Sequence, residues 1–520
     1  MNHIELFAGC GGLSLGLDKA GFELLLANEL SPMAAETFAY NFFNEDLEEK
    51  ATQNKKSKHT LWIETQHPEL KERLKENPFK TTTEYSDLKG LPSWSSLDGK
   101  LLVGSIVKLN SLLDKTPELV NQLRSGFGKG LDLVSGGPPC QSFSMAGKRE
   151  KDNDKNTLPW EFANFVNHVR PKIALLENVT GILRAFKNKK GDKFHAWYEV
   201  AKVFSSIGYV PLCLHVNAKF VGVPQNRPRF IMIAVRLDCL STYLKHCSAE
   251  NAEIWAQPRS FYDLVQIHQA SLDFGHLDYI DVMKDKDVKK FSNTFLAPFT
   301  AYIGREIAVK DAIGDLKIFN RDNESDYIKY LNETFSNLKK HPKYLNHDLR
   351  NNSPLVQRRF RLYQVLQQLS DRTLTRNVFE ILRGNSKLLD EESWKRLSEL
   401  KYLHENGELY QFASKGELEK YLKAHPTKKQ TQKALIASKP APAALSIPDD
   451  ACHYDESELR VLSVREMARI QSFPDNFIFR SKVTTGGQMR KFQVPQYTQV
   501  GNAVPPLLGL ALGKVISELL

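Results

Sequence analysis

The stretch at 131–149, LDLVSGGPPCQSFSMAGKR, constrains this chain more than any other. A short apolar run ends in two glycines and two prolines, and a cysteine follows at once: the pattern of a buried strand running into a rigid loop. Pro138 and Pro139 fix their own φ angles and restrict the residue before each, so Cys140 is presented with little backbone freedom. A free cysteine, with a pKa of about 8.5, is only a few per cent thiolate at neutral pH, yet that thiolate is strongly nucleophilic. The alternative is a buried structural thiol, the commoner fate of a cysteine.

Other strands lead into turns of similar promise. Residues 4–7 read as a first strand, followed by Ala8-Gly9-Cys10-Gly11-Gly12 and a helical pattern through Leu13, Leu17 and Ala20. Strand, glycine turn and helix make a nucleotide-type cofactor loop, in which absent side chains let backbone approach a ligand at a helix N-terminus. A second strand, 23–27, ends at Asn28-Glu29, where a carboxylate can accept hydrogen bonds from ribose hydroxyls. A third, 100–103, leads into Gly104-Ser105-Ile106. Residues 173–176 form a strand ending in Glu177-Asn178-Val179, whose carboxylate is either a partner for a ligand or a cap for the next helix. Arg227 and Arg229, separated by one residue before a strand at 230–235, project to one side as a wall of forked donors. Ser463 and Glu466 make a capping box, and the segment 499–506, QVGNAVPP, precedes a last apolar helix at 507–519.

The hexapeptide Gly136-Gly137-Pro138-Pro139-Cys140-Gln141 resembles the catalytic loop of the DNA cytosine carbon-5 methyltransferases. FAGCGG with ANEL, the Leu-Glu-Asn-Val at 176–179, the Gln225-x-Arg227-x-Arg229 pattern and the two closing motifs are similar to the same family, in its order, from residue 4 to residue 515. The resemblance implies an α/β fold: a doubly wound, mostly parallel, Rossmann-like sheet, assembled from both ends of the chain and facing a smaller target-recognition domain. It implies S-adenosylmethionine as cofactor and double-stranded DNA as partner. Cys140 would then add to carbon 6 of a flipped cytosine, Glu177 would bind ring nitrogen 3 and the exocyclic amine, Arg229 would reach the target base, and Arg227 would support the loop or a phosphate. On the cofactor side, Phe7 would pack on the adenine and Glu29 hold the ribose, within a wall of Gly9, Cys10, Gly11, Gly12, Leu13 and Asn28. Ser105, beside Ile106, stands where the family has an aspartate for the adenine amine; a hydroxyl can still hydrogen-bond but carries no charge. Pro139, Asn502 and Val504 complete the implied contacts, with the last helix packed beside the first strand.

The expected domains are 1–236, catalytic and cofactor-binding, with an insertion at 44–97; 237–460, target recognition; and 461–520, a return to the catalytic domain. The insertion is polar, without a clear strand, and is expected to be helical at the sheet's periphery. Net charge is +10, and residues 321–440 hold 23 Lys+Arg against 15 Asp+Glu, which suits a polyanionic partner. Within that segment Arg358, Arg359, Arg361, Arg372 and Arg376 cluster around Phe360 and Tyr363, either as a phosphate-binding face or as a solvated helix surface. The six cysteines are widely spaced, with neither a disulfide framework nor a zinc pattern, so no metal is expected. With no apolar run near membrane length, and with Met1 leading straight into a strand, a cytoplasmic monomer of bacterial or phage type is expected. A restriction endonuclease is the expected partner in function rather than in a complex. Two rivals stand beside this reading: a tRNA cytosine carbon-5 methyltransferase, which the 220-residue middle segment argues against, and a silent DNA-binding protein on the same fold, which the intact Cys140, Glu177 and Arg229 argue against.

Overall fold

The computed structural model describes residues 1–80, 84–139, 157–187, 193–342, 345–427, 432–443 and 445–520. Its centre is a nine-stranded sheet in the order β11-β9-β10-β6-β5-β1-β2-β4-β3. The strands are β1 (Asn2–Leu6), β2 (Glu23–Glu29), β3 (Thr60–Trp62), β4 (Lys100–Val103), β5 (Leu133–Gly136), β6 (Ile173–Val179), β9 (Tyr209–Asn217), β10 (Pro228–Arg236) and β11 (Ile280–Asp281). A two-residue hairpin, β7 (Phe186–Lys187) with β8 (Lys193–Phe194), stands apart from it. Only β10 runs against its neighbours; every other pairing in the sheet is parallel. This is the doubly wound, mostly parallel sheet that the resemblance implied.

Apolar runs rather than alternation mark these strands because both faces are covered. Leu133, Ile173 and Leu175 face one core, with Leu13, Leu17 and the C-terminal helix, while Val134, Ala174 and Leu176 face the other, with Phe162 and Val166. The order reverses at β1, whose neighbours are β2 on one side and β5 on the other, so the crevice for a ligand opens at the carboxyl ends of β1 and β5.

Three local expectations change. Thr60–Trp62, inside the segment expected to be helical, is a strand that extends the sheet's edge beside β4, its Trp62 ring buried. Alternation over three residues is too short to be read in a polar context. The last helix (Pro506–Ser517) packs on the first helix (Gly12–Lys19) rather than beside the first strand, with Gly16 set against the backbone of Pro506 and Gly509. The segment 237–460 also divides between two cores. Leu240, Trp255, Phe299, Ile313 and Phe335 belong to the core shared with the sheet and the C-terminal helices, and β11 joins the sheet itself. A separate small core gathers Phe360, Tyr363, Leu374, Val378, Leu418 and Val461.

The arginine cluster belongs to that small core. Arg361 is buried and donates to the Lys401 carbonyl, with Glu456 at 3.2 Å, while Arg358 donates to His425 at 2.9 Å and lies 3.8 Å from Glu405. These two guanidiniums brace the small domain and are not a phosphate face; Arg372 and Arg376 remain exposed. The helix Pro354–Leu369 puts Arg358 and Arg361 on the side that packs, a choice made by the partners at 401–456.

Close helix approach generates the first prediction. A methyl group at Gly16 would strike backbone atoms of the last helix, which cannot rotate away. Gly16→Ala should cost about 1–3 kcal/mol in urea unfolding, whereas Gly90→Ala, at a site with open space, should change stability by less than about 0.5 kcal/mol.

Candidate active site

The turn after β1 and the turn after β5 lie side by side, because Leu6 pairs with Gly136 at the ends of the two parallel strands. In the first turn Phe7, Gly9 and Gly11 all adopt positive φ, at 55°, 57° and 96°. The three glycines serve different ends. A side chain at Gly9 would meet open space, so this backbone is free to face a ligand. One at Gly11 would strike the Phe42 ring, and one at Gly12 the Val504 carbonyl. Gly11 and Gly12 are therefore glycine so that protein can close on them.

Glu29, at the end of β2, receives the Gly9 amide at 2.8 Å on one oxygen and the Ser31 amide at 2.7 Å on the other. It thereby fixes the glycine turn, and burial pushes its carboxyl above the ordinary range. Asn28 is buried and donates to the carbonyls of Leu102 and Gly104, pinning the end of β4. Ser105 caps the helix Ile106–Lys115 by accepting from the Val107 amide at 3.2 Å. The side chains of Leu13 and Ile106 lie in the two cores, and Cys10 is buried with its thiol directed to the Gln499 carbonyl at 3.7 Å. Burial raises the Cys10 thiol, so it is no nucleophile. Phe7, Ser105 and Val504 remain half-buried, and Pro139 and Asn502 exposed. An open glycine backbone, a carboxylate and an aromatic ring form a donor set suited to an adenosine-bearing cofactor.

Beyond β5 the turn Gly137–Pro139 passes under the end of β6. Glu177 and Arg229 form an ion pair there, 2.7 Å from Oε1 to Nε, with both side chains about one-tenth exposed. The other Glu177 oxygen lies 3.0 Å from where a Gly137 Cβ would sit, so a side chain there would press on the carboxylate. Asn178 donates to the Pro138 carbonyl at 2.9 Å and so holds the proline turn. Cys140 itself lies outside the described residues.

Arg227 takes a different role from the one expected. It is buried and donates to the carbonyls of Gly501 at 2.7 Å and Ala503 at 3.0 Å, tying the C-terminal motif to β10. Burial draws both guanidiniums below their ordinary range, with Glu177 opposing the shift.

Two residues here escaped the sequence reading. Gln499 is buried, receives Thr37 on its side-chain oxygen and donates to the carbonyls of Met33, Arg480 and Val494, joining the helix Pro32–Phe43 to the C-terminal motif. Glu5 sits inside β1 beneath the glycine turn and accepts from Ser14. A lone acid within an apolar strand was the available signal.

A family model described as C-5 cytosine-specific DNA methylase matches residues 1–67 and 118–518. The chain is 26% identical over 519 residues to the type II methyltransferase M.DdeI of Desulfomicrobium norvegicum, spanning 99% of the chain and 88% of that protein. It is 26% identical over 523 residues to the type II methyltransferase M1.HphI of Haemophilus parahaemolyticus, spanning 100% and 87%. Among solved structures it is similar to the S. pombe Dnmt2 methyltransferase, at 13% identity and a TM-score of 0.41, over 100% of this chain and 98% of that one.

Burial pushes the Glu5 carboxyl up to about 8. Its folded value lies above its unfolded one, so the stability it contributes is complete below the ordinary carboxylate range and is lost as pH rises through about 8. Glu5→Gln should therefore flatten the fall in melting temperature between about pH 5 and pH 8; an unchanged slope would show that another group governs it.

Proposed function

The chain belongs to the C-5 cytosine-specific DNA methylase family, and on that premise we propose how its residues divide the work of methylating carbon 5 of cytosine in DNA. The observation that carries the proposal is the buried Glu177–Arg229 pair beside the Gly137–Pro139 turn that leads to Cys140. S-Adenosylmethionine, when bound, supplies an electrophilic methyl group. The open Gly9 backbone, Glu29 and the Phe7 ring support its placement at the switch point of the sheet, with Ser105, Pro139, Asn502 and Val504 around it.

Carbon 5 of cytosine is a weak nucleophile. The Cys140 thiolate adds to carbon 6, and the electron pair displaced from the 5,6 double bond makes carbon 5 reactive toward the methyl group. One Glu177 oxygen accepts from the exocyclic amine and the other shares a proton with ring nitrogen 3, stabilising the negative charge that thiolate addition places in the ring. Arg229 holds the Glu177 carboxylate in place and adds positive potential toward the base. Loss of the carbon-5 proton and departure of the Cys140 sulfur then restore the aromatic ring. A stacked base is out of reach, so the cytosine is flipped out of the duplex, at a cost of a few kcal/mol.

Double-stranded DNA is the substrate in this reading, and the protein acts as a monomer. The likeness to type II methyltransferases supports a role in modifying the sequence that a restriction endonuclease cuts. Recognition of that sequence falls to the small domain around Phe360 and Tyr363, which is the sizeable unit outside the catalytic core.

Unmethylated phage DNA with labelled cofactor tests this directly. Cys140→Ser should abolish methyl transfer while cofactor binding persists, and Glu177→Gln should lower kcat about a hundred- to a thousandfold. DNA carrying 5-fluorocytosine should trap wild-type protein covalently, since fluorine cannot leave as a proton does; absence of the adduct on DNA that is otherwise methylated would overturn the Cys140 mechanism.

A further inference from the structure

The carboxyl end of β6 is held by a hydrogen-bonded chain that reaches across the sheet. His215 on β9 and Asn178 on β6 both pair with Phe230 of β10, one from each side. Over this intervening strand, Nε2 of His215 meets the hydroxyl of Thr180 at 3.2 Å, and Nδ1 meets Oδ1 of Asp281, on β11, at 2.9 Å. The same Asp281 oxygen accepts from the Met283 amide at 3.0 Å, so it acts as an acceptor and Nδ1–H donates to it. Nε2 and the Thr180 hydroxyl share the second hydrogen bond. The His215 and Asp281 side chains are only about one-tenth exposed.

An Asp–His–hydroxyl line is more than the fold requires at this place. Strands β6, β10 and β9 are already joined by their ladders, and Thr180 opens the short turn Thr180–Leu183. What the line adds is a fixed position for the first residue beyond β6. Thr180 is three residues after Glu177 and two after Asn178, whose side chain holds Pro138, two residues before Cys140.

We propose that Thr180, His215 and Asp281 are positioning residues for methyl transfer: through the end of β6 they set Glu177, and through Asn178 the loop that presents Cys140. This rests on the reading of Glu177 and Cys140 given above. None of the three touches the substrate; they act by holding in place groups that do, and small misplacements of such groups cost up to about a hundredfold in rate.

The experiment uses full-length protein, unmethylated phage DNA and labelled S-adenosylmethionine. Thr180→Val, nearly isosteric but without a donor, should lower kcat about ten- to a hundredfold. KM for DNA and the cofactor dissociation constant should stay within about twofold of wild type. Thr180→Ser should restore kcat to within about threefold of wild type, because the hydroxyl returns. His215→Asn keeps a donor for Asp281 but cannot reach Thr180; it should match Thr180→Val, and the double variant should be no worse than either. Each kcat is taken per folded molecule from thermal melts. The proposal is overturned by an unchanged kcat in Thr180→Val, by a loss that Thr180→Ser shares, or by additive losses in the double variant. Glu177→Gln is measured alongside: full activity there would overturn the reading beneath, while its loss with an active Thr180→Val would sink only this proposal.

Discussion

Parallel pairing of β1 with β5 is the constraint on which the site depends. Parallel neighbours end at the same level, so the turns that follow Leu6 and Gly136 leave the sheet together. One turn carries the glycine backbone of the cofactor site and the other leads to Cys140. The strand order brings them together, and with it comes the reversal of direction that opens a crevice at this point.

The remaining elements stiffen that crevice from outside. The last helix closes on the first through Gly16 and Gly509, and Gly12 admits the Val504 carbonyl, so the two ends of the chain meet as backbone against backbone. Arg227 finishes the join by donating to the Gly501 and Ala503 carbonyls, and Gln499, within the C-terminal motif, by donating to the Met33 carbonyl.

Buried charge is concentrated where geometry matters. Arg460 is held by Glu458 and by both oxygens of Glu466, and Arg469 by Asp315 and Asp475, which ties the middle segment to the C-terminal helices. Such pairs add little net stability, since desolvation offsets most of the attraction, but breaking one leaves a buried charge alone. They define which packing is allowed. Glu177 with Arg229 follows the same logic at the site itself, where the pair also faces the base in the proposed mechanism.

Local signals were legible because they are local. An apolar run ending in Gly-Gly-Pro-Pro, a glycine turn after a strand and a Ser463–Glu466 capping box depend on residues a few positions apart, and the last of these forms as expected. The strand and helix pattern followed from them; the parallel sheet and the placing of Glu177 and Arg229 at one base were what the family resemblance implied, and their ion pair came only with the tertiary structure. What the sequence could not decide were contacts between residues far apart in the chain. Gly11 and Gly12 looked like ligand-facing positions, but Phe42 and Val504 fill the space. Arg358 and Arg361 looked like a phosphate face, but His425, Lys401 and Glu456 turn them inward. The short edge strand Thr60–Trp62 exists only because β4 is there to pair with it, and Thr180, His215 and Asp281 meet only because β6, β10, β9 and β11 are neighbours. Periodicity and turn chemistry are properties of a segment, whereas the environment of a side chain is a property of whatever the fold brings against it.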